Sequence, residues 1–153
     1  ILEKIKNCGD VYLSEPNSKR LKVCSSSLKS KAVKPDDSNL KDNQFDVVFD
    51  TVGLEITRQS AIKLIKPGGS IIHIGLTHPS GVFDFRKATL QEIKFIGTYC
   101  YTNKDFEKTL SILSNNEIGD LSWIEFRDLK RGAEAFSQIH DGSCSAPKII
   151  LIP

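Results

Sequence analysis

Three segments of the chain end a β-rich run in residues that suit the recognition of a nucleoside. DVYLS (10–14) stops at Glu15 and Pro16, FDVVFD (45–50) runs into Thr51, Val52 and Gly53, and SIIHIG (70–75) runs into Leu76 and Thr77. An acid at the C-terminal end of a strand in a doubly wound sheet lies on the ligand side of the crevice. There a carboxylate can accept both ribose hydroxyls of an adenosine while repelling a 2′-phosphate. Small residues at the other two turns let a flat ring or a ribose approach the backbone. Each feature also has a plainer explanation. Glu15 alone is more often a solvated turn residue, and each glycine turn is equally ordinary tight-turn chemistry.

Other reactive side chains form no pattern. Cys8, Cys24, Cys100 and Cys144 are scattered without a CxxC pair, which leaves a zinc ribbon unsupported and reads as isolated reduced thiols in packed or half-buried places. His73 lies inside an apolar strand, His78 in a loop and His140 at a helix end. None has a metal-ligand spacing to a Cys or a carboxylate, so no metal site and no catalytic residue is assigned.

The elements that must position these turns alternate in type. After the first strand, Asn17 to Val23 starts a helix that frays through Ser25 to Ser27, and a short strand lies near Lys31 to Val33 in the polar stretch 25–44. FDVVFD reads as a strand buried on both faces of a parallel sheet. A helix over 56–66 carries Ala61, Leu64 and Ile65 on one side, and Pro67-Gly68-Gly69 ends it before the strand 70–75. Residues 83–92 are mixed, and IKFIG (93–97) is a further strand. Thr102 with Asp105 starts a helix whose stripe is Phe106, Leu110 and Leu113. Near Gly119 the helix–strand rhythm gives way to DLSWIEFRDL. A final helix carries Ala133, Phe136 and Ile139, and KIILI (148–152) is the last strand. Strands alternating with helices indicate βαβ units and a mostly parallel sheet, an α/β fold. Ile1, Leu2 and Ile5 share the face of a helix capped by Gly9, as if the chain opened inside a helix.

Composition narrows the function classes. The 153 residues are 39% hydrophobic and 26% charged, ordinary globular values. A net charge of +2 gives no reason to expect nucleic acid or an anionic membrane as partner. No apolar run approaches the roughly 20 residues of a membrane span, and the opening residues lack the apolar centre of a signal peptide, so a cytoplasmic location is expected.

Taken in order, DVYLSEPNSKRL, FDVVFDTVG, IKPGGSIIHIGL, IKFIGTYCYTNKDFEKTLSIL and GAEAFSQIHDG…PKIILIP resemble the medium-chain zinc-type dehydrogenases, most of all the alcohol and polyol branch with its butanediol and sorbitol dehydrogenases. The resemblance implies a Rossmann-type domain over 1–118 and a C-terminal segment of the catalytic domain over 119–153. It implies that Glu15 holds the adenosine ribose and favours NAD, and that Arg20 borders the adenine pocket. Thr51, Val52 and Gly53 would cover adenine and ribose. Gly75 and Leu76 would lie beside the nicotinamide ribose, and Thr98, Tyr99 and Cys100 would meet the carboxamide. Lys148 would face phosphates or stand as an exposed strand-end lysine. Two family features do not occur in this sequence: the G-x-G-x-x-G phosphate loop, and the zinc ligands of the N-terminal catalytic domain. The chain is therefore expected to be an N-terminally truncated part of an NAD-dependent dehydrogenase acting on an alcohol or polyol, inactive alone and with weak or no cofactor binding, zinc belonging to the intact parent. The first, central strand of the sheet would come from that parent or from another chain. Alternatives are a non-catalytic nucleotide-binding or dimerising module, pairing through strand 93–97 as a homo-oligomer, and a zinc-free quinone reductase of the same superfamily.

Overall fold

A computed structural model of the chain describes residues 1, 2, 6, 8–27 and 30–153. The helix expected over residues 1–8 depends on positions that lie outside the described residues. The element order is β1 (Tyr12–Ser14), α1 (Ser18–Ser27), β2 (Lys31–Val33), β3 (Phe45–Asp50), α2 (Glu55–Leu64), β4 (Ile65–His73), α3 (Phe85–Leu90), β5 (Lys94–Gly97), α4 (Asn103–Ser114), β6 (Ile124–Asp128), α5 (Gly132–His140) and β7 (Lys148–Ile152). Every strand pairing among them is parallel: β1 with β2, β3 with β4 and β4 with β5, and β6 with β7. Two compact units result, one of residues 1–37 with 103–153 and one of residues 38–102. Among the described residues, no helix is long and apolar enough to cross a membrane.

The 38–102 unit is a three-stranded sheet in the order β3-β4-β5. Register places Val48 beside Ile71 and Ile71 beside Phe95, so these three share a face. Against that face pack Ala61 and Ile62 of α2, with Ala88 of α3 close by; Ile65 and Ile71 are the most deeply buried side chains. Both crossovers run from one strand to the next in the same direction, and right-handed βαβ connections put both helices on one side. The opposite face carries Val47 and Phe49, which remain 46% and 45% exposed. This corrects the expectation that FDVVFD is buried on both faces.

Pro67-Gly68-Gly69 does not end the helix. Helix α2 stops at Leu64, and β4 starts at Ile65, paired with Phe45, before resuming at Ser70 opposite Val47. The triplet is thus an irregularity inside β4, with Gly68 at φ +73° and its N–H bonded to Gln91 O at 2.7 Å. Proline's missing N–H is tolerated at such a bulge. The mixed stretch before β5 holds α3, started by Asp84, whose carboxylate accepts the Lys87 N–H at 2.8 Å.

In the other unit, Asn17 stands between β1 and α1; its side-chain Oδ1 accepts the Lys19 and Arg20 N–H groups and its Nδ2 donates to Gly142 O at 2.8 Å. Lys19 Nζ reaches Ser143 O at 3.0 Å. These bonds tie the start of α1 to the turn after α5. On α5 the buried residue is Ala135, whereas Phe136, expected in the apolar stripe, is 74% exposed. The cysteines are free, as expected of isolated thiols, but Cys8 and Cys100 are exposed and only Cys144 is buried.

Ile71→Ala should cost about 2–5 kcal/mol by urea denaturation, because a buried isoleucine leaves a cavity. Val47→Ala, on the uncovered face, should cost less than about 0.5 kcal/mol. Equal losses would refute the one-sided core.

Candidate functional site

The ends of β3 and β4 are organised by one buried carboxylate. Asp50 is 4% exposed, and a buried charge is costly unless hydrogen-bonded. Its Oδ1 accepts the N–H groups of Val52 at 3.0 Å and Gly53 at 2.9 Å, and Oδ2 lies 3.1 Å from the Thr57 hydroxyl. Thr57 also accepts the Leu54 N–H at 3.0 Å, which fixes the first turn of α2. The main-chain carbonyl of Asp50 accepts Ile74 N–H and Gly75 N–H from the end of β4. One residue therefore holds the turn after its own strand with its side chain and the neighbouring turn with its backbone. His73 sits beside it, Nε2 3.6 Å from Oδ2, and among the described residues that buried nitrogen has no hydrogen-bond partner. The His73 ring lies 5.2 Å from Phe95, centroid to centroid.

The two turns touch backbone to backbone. A Cβ on Gly53, which has φ +75°, would lie 2.1 Å from Gly75 O, and a Cβ on Gly75 would lie 2.0 Å from the Val52 carbonyl carbon. Further bonds close the contact: Thr77 N–H and hydroxyl to Val52 O, and His78 N–H to Gly53 O at 3.0 Å. The space that glycine leaves at each position is filled by the other turn, so the tight-turn explanation accounts for both glycines. What faces outward is the exposed set Thr51, Val52 and Leu76.

Thr98 follows β5 in the same unit and donates its N–H to His73 O at 2.9 Å. Tyr99 is exposed, and Cys100 adopts φ +54°. The structure thus brings Gly53, Gly75 and Thr98 to the C-terminal ends of three adjacent parallel strands.

Glu15 and Arg20 lie in the other unit. Glu15 directly follows β1 and bonds Val33 O through its N–H at 3.0 Å. Its Oε1 accepts the Asn17 N–H at 2.8 Å and the Arg20 guanidinium at 3.2 Å, in a half-buried pair. Among the described residues, Oε2 has no protein partner. Burial, and then the Glu15 carboxylate, push the nearby Cys24 thiol above its ordinary pKa, with Arg20 opposing. Lys148 opens β7 opposite Ile124 and is exposed. Among the described residues, no three His, Cys, Asp or Glu side chains are grouped to hold a metal ion. The sequence alone did not mark Asp50 as the organiser, nor Thr57 and Arg58, and it placed Thr77 in its turn without the bonds it makes to Val52 O. An acid closing an apolar strand just before small residues was the one available signal.

Gly75→Ala should destabilise the fold by about 1–3 kcal/mol or more, since its Cβ has no room. Gly97→Ala, with nothing within 4 Å of the added Cβ, should stay within about 0.5 kcal/mol. Matched melting shifts for the two would refute the turn-on-turn contact.

Comparison with known proteins gives a consistent picture. Residues 2–115 match the family described as zinc-binding dehydrogenase. A probable diacetyl reductase ((R)-acetoin forming) of Saccharomyces cerevisiae is 35% identical over 75 residues, 48% of this chain and 18% of that protein. The (R,R)-butanediol dehydrogenase of the same yeast is 27% identical over 118 residues, 71% of this chain and 30% of its own length. Among solved structures, alcohol dehydrogenase TADH from Thermus sp. ATN1 superposes with a TM-score of 0.81 at 15% identity, over 95% of this chain and 44% of its own. An acetophenone reductase from Geotrichum candidum, in complex with NAD, gives 0.78 at 18% identity, over 91% and 40%. The chain spans less than half the length of each of these proteins. Its parallel α/β architecture is theirs, and with a family match across most of its residues the chain belongs to the zinc-binding dehydrogenases, of the medium-chain alcohol and polyol type.

Proposed function

We propose that this chain supplies the nucleotide-facing turns of an NAD-dependent alcohol or polyol dehydrogenase. The observation that carries the reading is Glu15. Its carboxylate is held at a strand end by Asn17 and Arg20 through one oxygen, with the second oxygen unpartnered among the described residues. A fixed carboxylate with a free oxygen is the acceptor that vicinal ribose hydroxyls require, and charge-assisted hydrogen bonds of this kind are the strong ones. Its negative charge disfavours a 2′-phosphate at the same place, which supports NAD over NADP. Arg20, already engaged by Glu15, would border the adenine. Exposed Thr51, Val52 and Leu76 offer a small apolar edge for ribose and ring, and the 98–100 segment offers main-chain groups for a carboxamide.

When bound, the nicotinamide supplies hydride transfer; the residues here bind and orient. The names of the yeast relatives, among them butanediol dehydrogenase, D-xylulose reductase and sorbitol dehydrogenase, support an alcohol or polyol as substrate class over a quinone. The donor set does not fit zinc, so no catalytic step is assigned to this chain. Nor does the sequence contain G-x-G-x-x-G, whose N–H groups and helix dipole would hold a pyrophosphate.

A second reading, a dimerising module, is favoured by β5. Among the described residues it pairs only with β4, and Phe95 and Ile96 are exposed on it. Such an edge suits pairing with a second copy.

Titrated with NADH, the chain alone should bind more weakly than about 10 μM, because an affinity near −7 kcal/mol needs the phosphate cradle. Tighter binding would contradict this. By ligand-observed NMR, Glu15→Ala should narrow the preference for NADH over NADPH; an unchanged ratio would remove Glu15 from the proposed role.

A further inference from the structure

Arg58, which closes the first turn of α2, spends its guanidinium on main-chain carbonyls. Its Nη1 donates to Gly53 O at 2.9 Å and to His78 O at 3.2 Å, and its Nη2 donates to Ser80 O. These acceptors come from two different turns, one after β3 and one after β4. No carboxylate pairs with Arg58 among the described residues. Gly81 passes so close that an added Cβ would lie 2.9 Å from the same Nη2. A planar fork with fixed N–H directions can serve three carbonyls at once; a lysine ammonium on a flexible stem cannot match that geometry.

The clasp has a consequence for Leu76. This side chain is 71% exposed, yet both of its neighbours are bonded inward, Gly75 N–H to Asp50 O and Thr77 to Val52 O. The loop beyond it is anchored by Arg58 at residues 78 and 80. An apolar side chain on an unanchored loop would turn back onto the sheet to leave water. Here it is held outward beside the exposed Val52, a small apolar step at the C-terminal ends of the strands.

We infer that Arg58 is a positioning residue: it locks the 76–80 loop onto the 51–53 turn and so presets Leu76 as an apolar edge for the nicotinamide-side part of the cofactor. The locking stands on this geometry alone, whereas the ligand assignment rests on the proposed cofactor reading, and two measurements separate them. In the first, amide hydrogen exchange is followed in the wild type, Arg58→Gln and Arg58→Lys. Exchange at Thr77 and His78 should rise about tenfold or more in both variants, with Ile71 to His73 changing less than about twofold. Unchanged protection at 77 and 78, or an equal rise in β4, overturns the clasp. So does full retention of protection in Arg58→Lys, which would make charge, not the fork, the cause.

In the second, ligand-observed NMR compares NADH with AMP. Arg58→Gln should weaken NADH by about fivefold and leave AMP within about twofold. Equal weakening of both ligands, or of neither, overturns the assignment to the nicotinamide side. If the wild-type chain binds neither ligand, the assignment of Leu76 to a cofactor edge in this chain is overturned, and the exchange experiment alone decides the clasp.

Discussion

The junction of β3 and β4 depends on the burial of one charge. Taking the Asp50 carboxylate out of water is unfavourable by several kcal/mol unless its oxygens are satisfied. The nearest donors are the N–H groups of Val52 and Gly53 and the Thr57 hydroxyl. Satisfying Oδ1 forces the chain to curl back immediately after the strand, which is why Gly53 carries a positive φ. That curl brings the Val52 and Gly53 carbonyls toward the end of β4, where Thr77 and His78 bond them. An acceptor-only group with two oxygens can gather a strand end, a turn and a helix start at once. A hydrophobic residue at position 50 would leave those donors to be satisfied elsewhere, and the turn would lose its reason to be tight.

Chain direction does the rest of the positioning. Parallel strands joined by right-handed crossovers deliver all their C-terminal ends to one edge. Asp50, His73 and Gly97 are therefore aligned across the 38–102 unit by register alone. The same rule explains why this sheet is covered on one face only: α2 and α3 both fall on the Val48–Ile71 side. Val47, Phe49 and Ile96 are left outward. Sidedness and the location of the turns are two results of a single handedness.

How legible this was varied with the range of the interactions. β3 and β7 match their expected bounds to the residue and β2 lies where a short strand was expected, because strand propensity and alternation are local properties. β6 (Ile124–Asp128) carries the same local alternation, so the strand itself was legible though unassigned; its parallel pairing with β7, 24 positions on, was not. Pro67-Gly68-Gly69 was misjudged for the converse reason: its local signal says "stop", yet Ile65 already pairs with Phe45 and the strand absorbs the triplet as a bulge. At the candidate site, Glu15, Gly53 and Gly75 were visible as strand-end residues of telling type. What they touch was not visible. The Gly53–Gly75 contact spans 22 positions, and the Arg58 bonds to residues 78 and 80 are set by the loop after β4.

Under the proposed reading, affinity and discrimination for a dinucleotide reside in different parts. Affinity for a doubly charged pyrophosphate comes from fixed N–H donors and a helix dipole, and the G-x-G-x-x-G spacing that supplies them does not occur in this sequence. Discrimination comes from differences between similar ligands: a 2′-hydroxyl against a 2′-phosphate at Glu15, or a flat ring against none at Val52 and Leu76. Such differences persist even where the total binding energy is small, since the charge contribution is common to both ligands and cancels. On that reading, Glu15 pinned by Asn17 and Arg20 would choose between a 2′-hydroxyl and a 2′-phosphate, and the turns locked by Asp50, Thr77 and Arg58 would present the groups that meet a ring. Selectivity and strength of binding would then be separable, because they draw on different groups.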